Sequence, residues 1–266
     1  GPCLVMIRPR AALVALGLLA ACGPVPLEQA ERWTASGGGR CHLMVDTGIN
    51  RLGIAASEAN EAAIAALDID ILMSHLASAD EADSAMNPRQ LAAFRGVLGA
   101  IPHRRASLAN SAGIGLGADF AFDLTRPGLA LYGGVPRPEL ASVIRPVAQV
   151  QAAILQTRVL AAGESVGYNA TFTAPAPMRV ATVSMGYADG FLRARGPGNA
   201  FSHHGHRLPI LGKVSMDMVV IDLTAAPDLA AGDWVDVPWN IADAAQQSGL
   251  SPYEMLTVIG GRLRRD

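Results

Sequence analysis

The chain has few lysines, cysteines and aromatic residues. Its 266 residues include one lysine, Lys213, and aromatic side chains make up 5% of the sequence. The three cysteines, Cys3, Cys22 and Cys41, are odd in number and lie near the N-terminus, which predicts neither a disulfide framework nor a cysteine metal site. No long basic run is present and the formal net charge is −2, which argues against nucleic acid as a partner.

The hydrophobic content and its periodicity predict two domains. Half of the residues are hydrophobic, enough to bury a full core. From residue 40, short apolar strands alternate with helical patterns, and after Pro146 the pattern changes to β segments with glycine and proline turns. We therefore predict an α/β plus β chain: a partial (β/α)8 TIM-type barrel over residues 25–143, then a C-terminal β domain over residues 144–266.

Individual elements follow from the same patterns. Helices are predicted to begin with Ser57 as N-cap, at Asn87-Pro88, and with Ser251 as N-cap of a closing helix that a glycine caps. Strands are predicted at 41–46, 69–75, 106–109 and 128–132 in the barrel, and at 147–160, 178–185, 206–212, 214–223 and 233–237 in the β domain.

Residues 1–24 have two interpretations. Residues 6–22 contain two arginines and an apolar run that ends in Leu19-Ala20-Ala21-Cys22, which resembles a bacterial lipoprotein signal and is too short for a transmembrane helix. We favour the other interpretation, an alanine- and leucine-rich barrel helix.

Polar residues follow the predicted barrel strands. In a β/α barrel the active site is built where the strands end. The residues at these positions are Asp46, Arg51, His75, Asn110, Ser111 and Arg126.

Six motifs occur in an order that resembles the pyridoxal-phosphate alanine racemases of fold type III, over residues 25–266. They are VDTGINRLG (45–53), LMSHLASAD (72–80), LANSAG (108–113), TRPGLALYGG (125–134), VGYNATFTA (166–174) and GKVSMDM (212–218). The resemblance implies a cytoplasmic homodimer that shares its active sites and interconverts L- and D-alanine through a pyridoxal-phosphate aldimine, for peptidoglycan synthesis. It implies no metal, no nucleic acid and no membrane partner.

The resemblance also implies roles for residues around the cofactor. Tyr168 matches the catalytic tyrosine, a phenol that acts as a base only beside positive charge. Arg126 matches the arginine that faces the pyridine nitrogen, where it makes the ring a weaker electron sink. The other cofactor-binding residues are His75 beside the ring, Ser111 with the amides of Gly128 and Leu129 at the phosphate, and Asn110, which precedes that serine.

Four further residues match the substrate site. Arg51 corresponds to the residue that positions the substrate carboxylate. Met216 and Asp217 match a pair that the partner subunit contributes, and Tyr187 looks like a gate residue.

Two departures from the family pattern concern lysine. Lys213 does not match the lysine that tethers the cofactor, and Met44 stands where many members have a lysine that orients Arg51. The alternating region is also about half of the roughly 250 residues of a complete barrel. We therefore expect an N-terminal barrel portion to be missing or replaced, and this chain alone to be inactive or nearly so.

Other functions remain open. A pyridoxal-phosphate decarboxylase or another amino-acid racemase of the same barrel type is one class, although no cysteine follows Cys41 to serve a decarboxylase. A non-catalytic scaffold or lipoprotein derived from a racemase is the other.

Overall fold

The computed structural model describes residues 5–9, 27–259, 261 and 263–265. The described residues form two compact units. One contains residues 27–131 and 135–144, and the other contains residues 5–9, 132–134 and 145–265.

The first unit is an α/β structure. Its elements in chain order are α1 (Leu27–Ala35), β2 (Arg40–Asp46), β3 (Ile54–Ala55), α2 (Ala62–Ala65), β4 (Asp68–Met73), α3 (Met86–Leu98), β5 (Arg105–Ser107) and α4 (Ser111–Ile114), numbered after strand β1 (Val5–Pro9) of the other unit. The strands pair in parallel in the order β3-β2-β4-β5. Parallel pairing places their carboxyl ends, and the polar residues that follow, along one edge.

Buried side chains that alternate along the strands pack this sheet against its helices. On β2 the side chains of Cys41, Leu43 and Val45 are buried, because successive residues of a strand point to opposite faces. They join one core with Phe94 of α3, and Phe94 packs edge-to-face on Phe122 with ring centroids 5.1 Å apart.

The second unit is mainly β. Its elements besides β1 are β6 (Ala148–Leu160), β7 (Ser165–Val166), β8 (Phe172–Thr173), β9 (Met178–Val183), β10 (Ala200–His203), β11 (His206–Leu211), β12 (Val219–Asp222), β13 (Trp234–Asp236), α5 (Ile241–Ser248), α6 (Pro252–Thr257) and β14 (Leu263–Arg265). Eight strands pair in the order β13-β10-β11-β12-β9-β6-β1-β14, and a further pairing of β13 with β6 closes six of them into a ring. The ring encloses apolar side chains such as Ile154, Phe201 and Val235.

The predicted fold class, a partial TIM-type α/β barrel followed by a β domain, is confirmed. The helix predicted to run from Ser57 as N-cap to Leu67 is wrong in its start and its length. Ser57 lies in a 3-10 turn, Ala56–Glu58, in which the Glu58 carboxylate accepts the N–H of Ala55 at 2.6 Å. Helix α2 follows only after Glu61 and is four residues long.

The predicted strand at 128–132 is also wrong, because Leu129–Tyr132 is a 3-10 helix. The N–H groups of Gly128 and Ala130 donate to the Ser111 hydroxyl oxygen, at 2.7 and 3.2 Å. They therefore cannot join a strand ladder.

Smaller differences concern element ends. Of the predicted strand 214–223 only β12 is a strand. The Ser215 N–H donates to the Met218 carbonyl, which forms a turn before β12. Asn87 lies inside α3, which begins at Met86, and α6 ends with Val258 rather than a glycine as C-cap. Strand β10 was not predicted.

Most of the predicted leader or barrel helix, residues 10–24, lies outside the described residues, and residues 6–9 belong to strand β1. In the part of the chain that the structure describes, no helix is long and apolar enough to cross a membrane.

The buried position of Phe94 predicts a large stability loss on truncation. Phe94 is 0% exposed, so Phe94→Ala leaves a cavity and lowers the free energy of unfolding by about 3–5 kcal/mol. The control is Val143→Ala, at a side chain that is 71% exposed, which changes stability by less than about 0.5 kcal/mol. Denaturant unfolding of both variants measures the difference, and equal stabilities would contradict the core assignment.

Candidate active site

In the first unit, the loop after β2 is built around Asp46. Its carboxylate accepts N–H groups from Gly48 at 2.8 Å, Asn50 at 3.1 Å and Arg51 at 2.9 Å. Burial acts to raise the pKa of the Asp46 carboxyl, but these amides and that of Ile49 outweigh it, so the pKa lies below its usual value. The charged carboxylate thus fixes the backbone that carries the exposed Arg51.

Arg126 is a half-buried cation of this edge. One guanidinium nitrogen donates to the Ser107 hydroxyl, and the other donates to the carbonyls of Ser74 and Leu108. Among the described residues no carboxylate lies within 4 Å of it. Burial lowers the pKa of Arg126 to about 10, so the group remains charged at neutral pH.

His75 follows β4 and is half-buried. Burial, together with the positive charges of Arg126 and Arg51, lowers the pKa of His75 to about 4. The imidazole is therefore neutral near pH 7 and can lie beside two cations without repelling them.

Ser111 stabilises the turn that follows Arg126 by hydrogen bonds. Its oxygen accepts two N–H groups, from Gly128 and Ala130, so the hydroxyl proton can be donated to a further acceptor. The buried Leu129 lies between these two residues. The Asn110 side-chain oxygen caps α4 by accepting the Gly113 N–H at 2.8 Å, which makes Asn110 a support of this turn.

Sequence reasoning missed three polar residues that hold the edge together. Gln90 is fully buried and bonds the Ala77 N–H, the His75 carbonyl and the Thr47 hydroxyl. The Thr47 hydroxyl in turn bonds that of Ser74 at 2.6 Å. The signal for Gln90 was its place on the apolar stripe of α3, three residues after Asn87 and four before Phe94.

In the second unit, Tyr168 projects from a tight turn. It opens a 3-10 turn that extends to Ala170 and follows Gly167, whose φ is 72°. Its side chain is 64% exposed. The turn is held by Lys213, whose Nζ donates to the Asn169 side-chain oxygen at 2.8 Å.

Met216, Asp217 and Tyr187 lie on two loops in close contact. The N–H of Tyr187 donates to the Ser215 carbonyl at 3.1 Å, and that of Ala188 donates to the Met216 carbonyl at 3.0 Å. A Cβ on Gly186 would lie 2.2 Å from the Met216 oxygen, so only glycine allows this approach. Met216 is exposed, and the Arg193 guanidinium lies 5.3 Å from the centre of the Tyr187 ring.

The predicted site residues thus form two groups, each within its own unit. The first unit carries Arg51, His75, Asn110, Ser111, Arg126, Gly128 and Leu129, and the second carries Tyr168, Tyr187, Met216 and Asp217. Lys213 also belongs to the second unit.

A neutral imidazole and a half-buried arginine lie at the strand ends of a partial α/β barrel, together with a serine hydroxyl and its turn, and this is the edge at which barrel enzymes build their active sites. Two family models match the chain: "Alanine racemase, N-terminal domain" over residues 26–136 and "Alanine racemase, C-terminal domain" over residues 147–266.

Curated relatives agree with these models. The chain is 46% identical over 233 residues to the alanine racemase of Methylobacterium nodulans, which covers 84% of this chain and 63% of the relative. It is 40% identical over 271 residues to the alanine racemase of Acidiphilium cryptum, which covers 97% of this chain and 74% of the relative. The chain therefore belongs to the alanine racemase family, and it spans about two-thirds of the length of these relatives.

A solved structure has the same fold. Alanine racemase from Bartonella henselae, with covalently bound pyridoxal phosphate, matches with a TM-score of 0.78 at 35% identity, over 90% of this chain and 71% of that chain.

The low pKa of His75 predicts a pH-dependent stability. Between pH 6.5 and about 4 the unfolded chain binds a proton at this residue and the folded chain does not, so the free energy of unfolding falls as pH falls through this window. Replacement by His75→Gln removes this part of the slope, on the order of 1 kcal/mol once solvent screening is included.

Denaturant unfolding at several pH values measures this contribution. His103→Gln, at a half-buried histidine elsewhere in the same unit, is the control and should keep the slope. A His75→Gln profile that parallels the parent between pH 6.5 and 4 would show that His75 takes up its proton in the folded chain as readily as in the unfolded chain, and would contradict the lowered pKa.

Proposed function

We propose that this chain supplies the cofactor and substrate site of an alanine racemase, which interconverts L- and D-alanine with pyridoxal 5'-phosphate. The whole activity, its role in peptidoglycan synthesis and a cytoplasmic location are parts of this proposal. They rest on family membership and on the chemistry of the residues at the barrel edge.

The observation that carries the proposal is the set of hydrogen bonds that Arg126 donates. A guanidinium has only donors, and Arg126 uses two nitrogens on carbonyls and a hydroxyl rather than on a carboxylate. Opposite a pyridine nitrogen it can donate but cannot take up a proton. That arrangement suits the weak electron withdrawal that a racemase requires.

The donor set around Ser111 fits the other end of the cofactor. A hydroxyl with a free proton next to a turn of backbone amides is suited to a phosphate dianion. When bound, pyridoxal phosphate would stabilise negative charge at the substrate α-carbon. Ser111 would donate its hydroxyl proton to the phosphate. Gly128, whose N–H bonds Ser111, and Leu129 would form the turn beside the phosphate, Asn110 would shape that turn, and His75 would lie beside the ring.

The remaining residues would act on the substrate. Arg51 would bind the alanine carboxylate with its planar fork, together with the Met216 amide and Asp217. Tyr168 would move the α-proton at its hydroxyl oxygen on one face, and Tyr187 would limit access. The high exposure of Tyr168 and Met216 supports a homodimer in which these groups reach the site of the partner subunit.

Lysine is the missing group. The one lysine, Lys213, bonds Asn169 in the second unit, and the first unit offers none to tether the cofactor or to serve as the second base. We therefore propose that the 266-residue chain binds pyridoxal phosphate without a covalent link and turns over alanine poorly or not at all.

Cofactor titration of the purified chain tests the proposal. Pyridoxal phosphate should bind saturably by absorption and fluorescence, and borohydride reduction should leave no cofactor on the protein. Ser111→Ala should weaken binding about tenfold or more, because one hydrogen bond to a charged group is lost. Ser57→Ala, at an exposed serine of the same unit, is the matched control and should bind like the parent.

The outcomes separate the two parts of the proposal. An absence of saturable binding, or equal affinity in Ser111→Ala, would refute the cofactor site and favour a non-catalytic scaffold. Rapid exchange of the alanine α-proton by the chain alone would refute the requirement for a tethering lysine.

A further inference from the structure

The second unit contains a group of histidines that are not among the residues of the proposed racemase site. His203, His204 and His206 surround the turn between β10 and β11. His204 and Gly205 have φ values of 46° and 83°, and His203 pairs with His206 across the turn. This is the geometry of a tight two-residue hairpin, in which both central residues have positive φ.

The hairpin brings two imidazoles together. The left-handed conformation of His204 turns its side chain alongside that of His203, and the two ring centroids lie 4.1 Å apart at an angle of 64°. Two imidazoles bound to one ion through nitrogens about 2.1 Å from it would have centroids roughly 4.6 Å apart at a right angle and roughly 5.3 Å apart at the tetrahedral angle. The rings therefore need to move apart by about 1 Å to share an ion.

The hydrogen bond of His203 determines which ring nitrogen carries the proton in the neutral imidazole. Its Nδ1 lies 3.1 Å from the Trp234 carbonyl oxygen. Because a carbonyl only accepts, Nδ1 must carry the proton, and Nε2 keeps a lone pair. Metal-binding histidines are commonly held in this way, with the second ring N–H donated to a carbonyl.

The surroundings favour a cation. The histidines line an open cavity of about 770 Å³ together with Asp228, Asp233 and Asp236, and no lysine or arginine is among its described lining residues. In the described part of the chain, no three His, Cys, Asp or Glu side chains are already arranged around one point. A two-imidazole site completed by water is therefore the arrangement that these residues can form.

We propose that His203 and His204 bind a divalent transition-metal ion of the zinc or nickel type through their imidazole nitrogens. Neutral imidazole is the preferred protein ligand of these ions, whereas Mg²⁺ and Ca²⁺ prefer oxygen. The site is independent of the racemase proposal, because it uses none of the residues assigned there.

Metal titration of the untagged full chain tests this assignment. ZnCl₂ and NiCl₂ are titrated by calorimetry and by competition with a chromophoric chelator, with MgCl₂ as the comparison. Zinc and nickel should bind with a stoichiometry of one and magnesium should not. His203→Gln and His204→Asn should each weaken zinc binding at least tenfold, since even loss of a residue that only supports a ligand costs about 10–100-fold.

Matched variants make the test specific. Asparagine at 204 tolerates the positive φ of the turn, and circular dichroism with EDTA present confirms that each variant is folded. His103 also has its Nδ1 near a carbonyl, that of Ile101 at 2.7 Å, but no imidazole lies beside it among the described ring contacts. His103→Gln should therefore bind zinc like the parent.

Three results would overturn the proposal. These are no saturable binding of zinc or nickel, unchanged affinity in folded His203→Gln, or an equal loss in His103→Gln. Unchanged affinity in folded His204→Asn, together with a loss in His206→Gln, would move the second ligand to the opposite strand and overturn the assignment of His204.

Discussion

The hydrogen bonding of one half-buried guanidinium is the constraint on which the barrel edge depends. Arg126 has no carboxylate partner within 4 Å among the described residues, and its nitrogens donate to the Ser107 hydroxyl and to the main-chain carbonyls of Ser74 and Leu108. A charge that is partly withdrawn from water is costly unless it is hydrogen-bonded, and the ends of β4 and β5 supply the acceptors. The same contacts hold the group in place, and it stays charged at neutral pH.

The other polar groups of this edge are consistent with that charge. His75 is kept neutral by burial and by the two nearby arginines, so the edge does not accumulate a third positive charge at neutral pH. Gln90 fixes the loop after β4 by bonding the His75 carbonyl and the Ala77 N–H. The Ser111 hydroxyl of α4 fixes the turn after Arg126 by accepting the Gly128 N–H. An arginine opposite a pyridine nitrogen and a serine at a phosphate would then be positioned by packing rather than by flexible side chains.

Local patterns predicted the parts of the fold that depend on local physics. Strand β2 was predictable because its buried side chains alternate, and the cap at Ser251 because the Glu254 N–H and the serine hydroxyl lie three residues apart. The strand expected at 128–132 failed because its amides bond Ser111, a partner distant in sequence. The hydrogen-bond acceptors of Arg126 likewise could not be predicted from local patterns, since they come from residues 74, 107 and 108. Ordered motifs indicated the family, but not the contacts that hold residues such as Arg126 and Ser111 in place.

The most direct test of the central claim is the protonation state of the pyridine nitrogen in the bound cofactor. Pyridoxal phosphate labelled with ¹⁵N at the ring can be bound to the chain and its chemical shift recorded at neutral pH. If Arg126 donates to that nitrogen, the shift will be that of an unprotonated pyridine. A shift characteristic of a protonated ring would mean that a carboxylate or water, not this guanidinium, faces the cofactor.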